Sequence, residues 1–301
     1  MKVNRLIKAF WDNTKRNDEK RIAAQVEPDF DEAKLNIDYV GDGHFHHTLN
    51  VYRPKGVEGA LPVIMDVHGG GWYYGDKELN SYYCRSLVRY GFAVVDISYR
   101  LAPEADIKGQ LQDAFKAMEY TAAHAEEFGL DRDKFFIAGD SAGGHIVGLI
   151  ANIAKSKELQ EYYGVKPSLG IKAACLICPA ADPLDMFPLP KGIMKFYFNP
   201  ILGKGYLKNG SAQKASFKGT LQKDICPCYF ISAYGDFLRK STKSAYEAVR
   251  AQGTKSELFF LDEPAVKDHE LTHVFNVIQW NWEESEAANE GMCNFFKSCM
   301  Q

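Results

Sequence analysis

The sequence predicts an α/β fold, in which a mostly parallel sheet of eight strands carries helices on both faces. Two observations lead to this prediction. Short, nearly continuous apolar runs recur along the chain, and such runs are typical of strands buried on both faces. Segments with helical periodicity separate these runs, as expected where crossover helices join parallel strands. The predicted strands are residues 35–40, 48–52, 62–67, 92–97, 135–138, 171–177, 228–232 and 258–261.

The predicted helices follow from apolar stripes and from the residues that end them. A helix over residues 1–25 places four apolar side chains on one side, namely Leu6, Ile7, Phe10 and Trp11. A stripe over residues 107–128 ends at Gly129, and a helix over 238–251 ends near Gly253. The chain contains no internal repeat or low-complexity linker. We therefore expect one α/β domain over residues 1–301.

Composition limits the classes of partner. The chain is 46% hydrophobic and 25% charged, its formal net charge is −3, and no basic patch favours nucleic acid. Residues 1–20 lack the continuous apolar stretch of a signal peptide, and no run is long enough to span a bilayer. Seven cysteines, an odd number, fit a reducing compartment. We expect a cytoplasmic protein with no nucleic-acid or membrane partner, and a homo-oligomer stays possible.

A glycine-rich turn at residues 139–143 is the strongest chemical signal. It has the pattern G-x-S-x-G, follows the strand at 135–138 and precedes an apolar helix-like run at 146–154. A serine at the apex of such a strained strand-to-helix turn has its hydroxyl exposed. The start of the helix also favours negative charge at that point. We therefore expect Ser141 to be a nucleophile, whereas the alternative is a turn that only joins two elements.

A second motif, His68–Trp72 with the sequence HGGGW, follows the strand at 62–67. Three successive glycines leave the backbone bare, so that amide N–H groups can approach a substrate oxygen. This arrangement is typical of an oxyanion hole. It does not fit a phosphate-binding loop, because neither a Lys-Ser/Thr pair nor a G-x-G-x-x-G fingerprint follows.

Cysteine and histidine clusters do not predict a metal site. Cys175 and Cys178 lie in an apolar strand, residues 226–228 begin another, and neither pair has the spacing of a zinc site. The three histidines at 44, 46 and 47 fall in an alternating stretch, which we interpret as a polar strand face.

One insertion interrupts the alternation of strands and helices. Residues 182–224 place about forty residues between two strands, where a crossover normally needs fewer. The insertion carries apolar side chains, namely Met186, Phe187, Ile193, Met194, Phe196, Tyr197 and Phe198. We expect a lid over a site at the strand ends. A longer crossover is the alternative.

Together, three motifs resemble the hormone-sensitive-lipase-like branch of the α/β-hydrolase esterases: HGGGW at 68–72, SYRLAPE at 98–104 and GDSAGG at 139–144. The resemblance covers roughly residues 60–275. It implies the α/β-hydrolase fold, oxyanion donors at the amides of Gly70, Gly71 and Ala142, and a supporting role for His68. It also implies a small helical cap made of residues 1–30 and 182–224.

In this fold the triad runs serine, acid, histidine along the chain. Asp236, which follows the strand at 228–232, matches the acid, although Phe237 replaces the family's usual proline and Lys240 an acidic residue often found there. His273 matches the family's H-x-F pattern and is expected to be the base. His269, in a charged run, is the other histidine in a suitable position.

The predicted function is that of a serine carboxylesterase. His273 takes the proton of Ser141 as it attacks an ester carbonyl, Asp236 orients the imidazole, and water then releases the acyl group. Aromatic side chains of the cap and glycine loop, such as Phe10, predict short acyl chains, from acetyl to hexanoyl. No cofactor or metal is expected, and the partner is a small-molecule ester. An amidase or peptidase with the same triad, or a non-catalytic receptor, remains as an alternative.

Overall fold

The computed structural model describes residues 5–183, 191–263 and 269–300, with the side chains of 6 and 191–193 excepted. Within these residues, eight strands form one sheet in the order β1-β2-β4-β3-β5-β6-β7-β8. β2 pairs antiparallel with β1 and β4, and all the other pairs are parallel, which confirms the predicted mostly parallel sheet. The strands are Asp31–Asp38, Thr48–Pro54, Leu61–Val67, Ala93–Ile97, Leu130–Asp140, Ile171–Ile177, Cys228–Ala233 and Ser256–Leu261.

Helices cover both faces of the sheet. The first core contains Met65 of β3 with side chains from α3, α5 and α9, and the second contains Ile64 of the same strand with side chains from α2 and α11. Successive strand residues point to opposite faces, so each central strand contributes to both cores. The helices α1–α11 are Arg5–Ala24, Ser81–Leu87, Ile107–Ala123, Ala125–Phe128, Ala142–Ile153, Lys157–Tyr163, Lys191–Leu202, Ser211–Lys214, Arg239–Ala251, Phe275–Ile278 and Glu283–Lys297.

Two strands differ from the predicted bounds by more than two residues. β1 begins at Asp31 and ends at Asp38, and most of its side chains are exposed because it is an edge strand. β5 runs over eleven residues from Leu130, and its polar first half pairs with β3 before the buried second half. The apolar-run criterion finds only the buried part of a strand, so it missed both segments.

The parallel order brings the carboxyl ends of β3, β5, β7 and β8 to one edge of the sheet. The same edge therefore carries the glycine motif after β3, the serine turn after β5 and Asp236 after β7. Sites at the carboxyl ends of strands are general for α/β sheets. In the part of the chain that the structure describes, no helix has both the length and the apolar character needed to cross a bilayer.

Candidate active site

Ser141 lies in a sharp turn between β5 and α5. Its backbone has φ 54° and ψ −114°, a conformation that L residues rarely adopt. Two glycines make the turn possible by close approach. A Cβ on Gly139 would lie 2.8 Å from the carbonyl carbon and oxygen of Gly143, and one on Gly143 would lie 1.9 Å from the carbonyl oxygen of Val67. The G-x-S-x-G pattern thus has a steric cause on both sides of the serine.

The structure brings Ser141, His273 and Asp236 together in one hydrogen-bonded row. Nε2 of His273 lies 2.9 Å from Oγ of Ser141, and Nδ1 lies 2.6 Å from Oδ1 of Asp236. A carboxylate only accepts hydrogen bonds, so Nδ1 carries the hydrogen and Nε2 of the neutral ring accepts from the serine hydroxyl. This tautomer is the one that a general base at Ser141 requires.

The carboxylate of Asp236 is fully buried and well supplied with donors. Its Oδ1 also accepts from the amide of Leu238 at 2.9 Å, and its Oδ2 accepts from the Ser232 hydroxyl at 2.6 Å. Burial by itself raises the pKa of the Asp236 carboxyl, but hydrogen bonding to His273 and Ser232 outweighs burial and holds the pKa below its ordinary value. Asp236 is therefore a charged carboxylate facing the imidazole.

The loop that carries His273 is tied to the acid and to β6. Gly235, beside the acid, forms a parallel bridge with Thr272. Val274 adopts φ 54°, which is unusual for a β-branched residue, and its amide donates to Sγ of Cys178 at 3.3 Å. These contacts hold the imidazole of His273 against the carboxylate of Asp236. Sequence patterns gave no indication of the contact with Cys178.

The structure separates the other histidines from the row. His269 packs against Trp282 with ring centroids 3.8 Å apart and the rings tilted by 31°, and its Nε2 lies 3.3 Å from the carboxylate of Glu284. His145 is buried, accepts from the indole N–H of Trp72 and bonds the carbonyl oxygen of Ala215. Burial lowers the pKa of His145 to about 4, so the ring is neutral.

The glycine loop fixes the direction of two amide N–H groups, because the carbonyl of the same peptide is hydrogen-bonded in each case. The carbonyl of Gly69 faces Nδ1 of His68 at 2.8 Å, and the carbonyl of Gly70 accepts from the amides of Tyr73 and the next residue at 3.1 and 3.0 Å. In a trans peptide the N–H points opposite to the C=O. The N–H groups of Gly70 and Gly71 are therefore directed away from these anchors by fixed peptide planes.

The amide of Ala142 is held in the same way. The carbonyl of Ser141 accepts from the amides of His145 and Ala180 at 3.1 and 3.0 Å, which fixes the peptide that carries the Ala142 N–H. Ala142 is also the first residue of α5, so its N–H lacks an intrahelical acceptor and lies at the positive end of the helix dipole.

Three buried polar residues support the glycine loop from below. Oδ1 of Asp140 accepts from the Gly69 amide at 2.9 Å and from the Asn80 side chain at 2.8 Å, and Asn80 also donates to Oδ2 of Asp66 at 2.8 Å. Burial raises the pKa of both carboxyl groups, that of Asp66 to about 8. This group was not predicted from the sequence, although an aspartate inside the apolar run at 62–67 could have indicated it.

Aromatic side chains from α1 and α7 reach the same loop. The Tyr197 hydroxyl donates to the carbonyl of Gly71 at 3.1 Å, and the Tyr73 hydroxyl donates to the carbonyl of Tyr197 at 2.5 Å. Trp11 stacks on Tyr74 with centroids 5.9 Å apart. Both the N-terminal helix and the insertion thus contact the glycine loop.

Other side chains expected near the site lie elsewhere. Phe10 and Phe196 are 60% and 63% exposed, so the expectation that they close a pocket is wrong. Met186 and Phe187 lie outside the described residues. The histidines at 44–47 precede β2 and do not form a strand face, and His44 pairs with Glu104 at 2.8 Å.

Comparison with known proteins gives consistent matches. The sequence profile of the BD-FAE family matches residues 49–233. The crystal structure of esterase B from Lactobacillus rhamnosis superimposes with a TM-score of 0.91 at 30% identity, over 98% of this chain and 94% of that chain. A second structure of esterase B, inhibited by a C4-C4 tributyrin phosphonate, has a TM-score of 0.90 at 32% identity, with the same coverage of both chains.

Two curated relatives are similar over part of their length. Carboxylic ester hydrolase LipN of Mycobacterium tuberculosis is 29% identical over 79% of this chain and 64% of LipN. Versiconal hemiacetal acetate esterase of Dothistroma septosporum is 34% identical over 46% of this chain and 40% of that protein. The chain thus spans less than two thirds of either relative. The profile match, the motifs and the shared fold show that the chain belongs to the BD-FAE family of hormone-sensitive-lipase-like α/β-hydrolases.

Proposed function

We propose that the protein is a serine carboxylesterase that hydrolyses small esters of short carboxylic acids. The observation that carries the proposal is the hydrogen-bonded row of Ser141, His273 and Asp236 at the carboxyl edge of the sheet. The names of esterase B and LipN support an ester as the substrate.

In the first half of the reaction Ser141 attacks the ester carbonyl. Nε2 of His273 removes the hydroxyl proton as the bond forms, and the charged Asp236 stabilises the imidazolium that results. The same Nε2–H then donates the proton to the departing alkoxide. The products of this half are a free alcohol and an acyl group on Oγ of Ser141.

In the second half the base acts on water. His273 removes a proton from a water molecule that attacks the acyl carbonyl, and then returns that proton to Oγ of Ser141 as the carboxylic acid leaves. Both halves pass through a tetrahedral oxyanion. We assign its stabilisation to the amides of Gly70, Gly71 and Ala142, since each belongs to a peptide whose carbonyl is anchored on its other side.

We further propose that residues 1–30 and 182–224 form the cap over the acyl group, although residues 1–4 and 184–190 of this range lie outside the described residues. Trp11 and Tyr197, which contact the glycine loop, support this assignment, and large rigid side chains so close to the oxyanion donors leave limited room. The phosphonate that inhibits esterase B carries C4 chains. Acyl chains from acetyl to hexanoyl are the proposed range.

The decisive experiment is covalent labelling with a 4-nitrophenyl alkylphosphonate. Its tetrahedral phosphorus reacts with an activated serine, so we expect one adduct per chain, located on Ser141 by peptide mass spectrometry, and no adduct in Ser141→Ala. An adduct on another serine, or none, would refute the assignment of the nucleophile.

Hydrolysis of matched substrates separates the alternative functions. A 4-nitrophenyl butyrate and the butyryl anilide share the acyl group, so the ratio of kcat/KM compares ester and amide directly. The proposal expects the ester to react at least a hundredfold faster, because amines are poorer leaving groups than nitrophenolate. Equal rates would identify an amidase, and binding of esters without turnover would identify a receptor.

A further inference from the structure

A buried thiol lies beside the acid and the base. Sγ of Cys178, a carboxylate oxygen of Asp236 and a ring nitrogen of His273 lie within 4.8 Å of one another. The proposed hydrolysis uses the carboxylate and the imidazole but not the sulfur. Cys178 is a free cysteine and fully buried, whereas His273 is 19% exposed at the site. One of the three donor side chains is thus partly exposed.

The three donor types match the ligand preferences of thiophilic divalent cations. Zn²⁺ and Co²⁺ bind cysteine sulfur, histidine nitrogen and carboxylate oxygen together, at about 2.0–2.3 Å for zinc. Ligand atoms of a tetrahedral zinc site are then roughly 3.3–3.8 Å apart. The cluster therefore needs shifts of about 1 Å or less to enclose a cation, and the imidazole is the least buried of the three side chains.

Charge and hydrogen bonding also favour a cation. Once bound, a divalent cation neutralises two negative charges in a fully buried place, namely the thiolate that forms at Cys178 and the carboxylate of Asp236. The amide of Val274 already donates to Sγ, as partners in the outer shell of metal–thiolate sites do.

We propose that Cys178, Asp236 and His273 form an inhibitory site for thiophilic divalent cations such as Zn²⁺. This inference rests on the proposed function, because the inhibition arises from loss of the base. The cation takes the lone pair of Nδ1 of His273, the ring proton moves to Nε2, and the thiol proton is released to solvent. Nε2–H then donates to Ser141 and can no longer remove its proton.

A second cluster provides the control. Asp66, Cys84 and Asp96 also place three donor atoms within 4.8 Å, but all three side chains are fully buried. Cys84→Ala and Cys178→Ala both remove a buried thiol. The two variants differ in whether that thiol lies beside the base, so they separate a local effect from a general loss of packing.

Inhibition is measured with ZnCl₂ during hydrolysis of 4-nitrophenyl acetate, each variant relative to its own metal-free rate. We expect Zn²⁺ to inhibit the wild type and Cys84→Ala equally, with recovery in EDTA. Cys178→Ala should need at least about ten times more Zn²⁺ for half-inhibition, since a three-ligand site loses its only sulfur. Equal sensitivity of all three proteins would overturn the proposal.

Cobalt absorption tests the site without turnover. Ser141→Ala retains all three ligands, so Co²⁺ should produce a thiolate-to-cobalt charge-transfer band in the near ultraviolet. The band should vanish when Cys178→Ala is added and persist when Cys84→Ala is added. A wild-type protein that hydrolyses esters, with no band in Ser141→Ala, refutes the metal site alone, whereas the band in Ser141→Ala with a wild-type protein that hydrolyses no ester refutes the proposed function alone.

Discussion

Substitution of Gly71 tests how the aromatic side chains of α1 and α7 contact the glycine loop. Its φ is 58°, and a Cβ added there would lie 2.3 Å and 2.6 Å from Cζ2 and Cη2 of Trp11 and 2.6 Å from the hydroxyl of Tyr197. Contacts under 3 Å do not occur for real Cβ atoms, so Gly71→Ala must displace either the aromatic side chains or the loop itself.

The expected loss of stability and of kcat in Gly71→Ala follows from these contacts. The left-handed backbone costs an alanine about 1–2 kcal/mol, and overpacking adds about 1–3 kcal/mol. Displacement of the loop also moves the amide of Gly71, a proposed oxyanion donor, and loss of one such donor lowers kcat by roughly 10²–10³-fold. KM should change much less, because the donor acts mainly on the charge of the transition state. We expect kcat for 4-nitrophenyl butyrate to fall by about two orders of magnitude.

Two controls isolate the cause. Gly56 has φ 67° with nothing within 4 Å of an added Cβ, so Gly56→Ala has the same backbone strain and should lower stability by about 1 kcal/mol while kcat stays unchanged. In a Trp11→Ala background only the Tyr197 hydroxyl remains of the three nearest atoms, so Gly71→Ala should cost less in kcat than it does in the wild type. The reasoning fails if Gly71→Ala retains wild-type kcat, or if its cost is the same with and without Trp11.

Three further outcomes are expected. His273→Ala should lower kcat by about 10⁴-fold or more and His269→Ala by about tenfold or less, as steady-state rates will show, and equal losses would exclude His273 as the base. Burial raises the pKa of Asp66 to about 8 from an ordinary value near 4, so the folded state holds a proton that the unfolded state loses, and its stability falls as pH rises from 4 to 8. Asp66→Asn mimics the protonated carboxyl. Its free energy of unfolding, measured in urea, should therefore fall less steeply with pH, by up to about 1.4 kcal/mol per pH unit. Parallel pH profiles of the two proteins would contradict this prediction. Across 4-nitrophenyl esters, kcat/KM should rise about fourfold per methylene and then fall, with its maximum between acetate and hexanoate. A flat profile or a maximum at palmitate would contradict a closed acyl pocket.

The central sheet was predictable because its strands are buried on both faces. The predicted bounds of β6, Ile171–Ile177, agree with the structure, and those of β3 differ by one residue. β1 was misplaced because an edge strand needs no apolar run, and its sequence from Asp31 to Asp38 is mostly polar. Apolar patterns thus predict the strand segments that are buried and miss those that are exposed.

The candidate site was predictable where its chemistry requires particular residue types at neighbouring positions of the sequence. The turn at Ser141 requires glycine on both sides for steric reasons, so it appears as a motif. The contact of Cys178 with Val274 spans 96 positions of the chain and requires no particular spacing. Phe10 and Trp11 are neighbours in one helix, and periodicity could not decide which of them faces the glycine loop, a choice made by the stacking of Trp11 on Tyr74.

The bridge between Gly235 and Thr272 also affects how this part of the protein opens. A Cβ on Gly235 would lie 2.5 Å from the carbonyl oxygen of Leu271, so the segments that carry Asp236 and His273 are in direct backbone contact. Local unfolding of either segment must break contacts made by the other. We therefore expect their amide hydrogens to exchange with solvent as one cooperative unit, with a common opening free energy, even though 37 positions separate Asp236 from His273 in the chain.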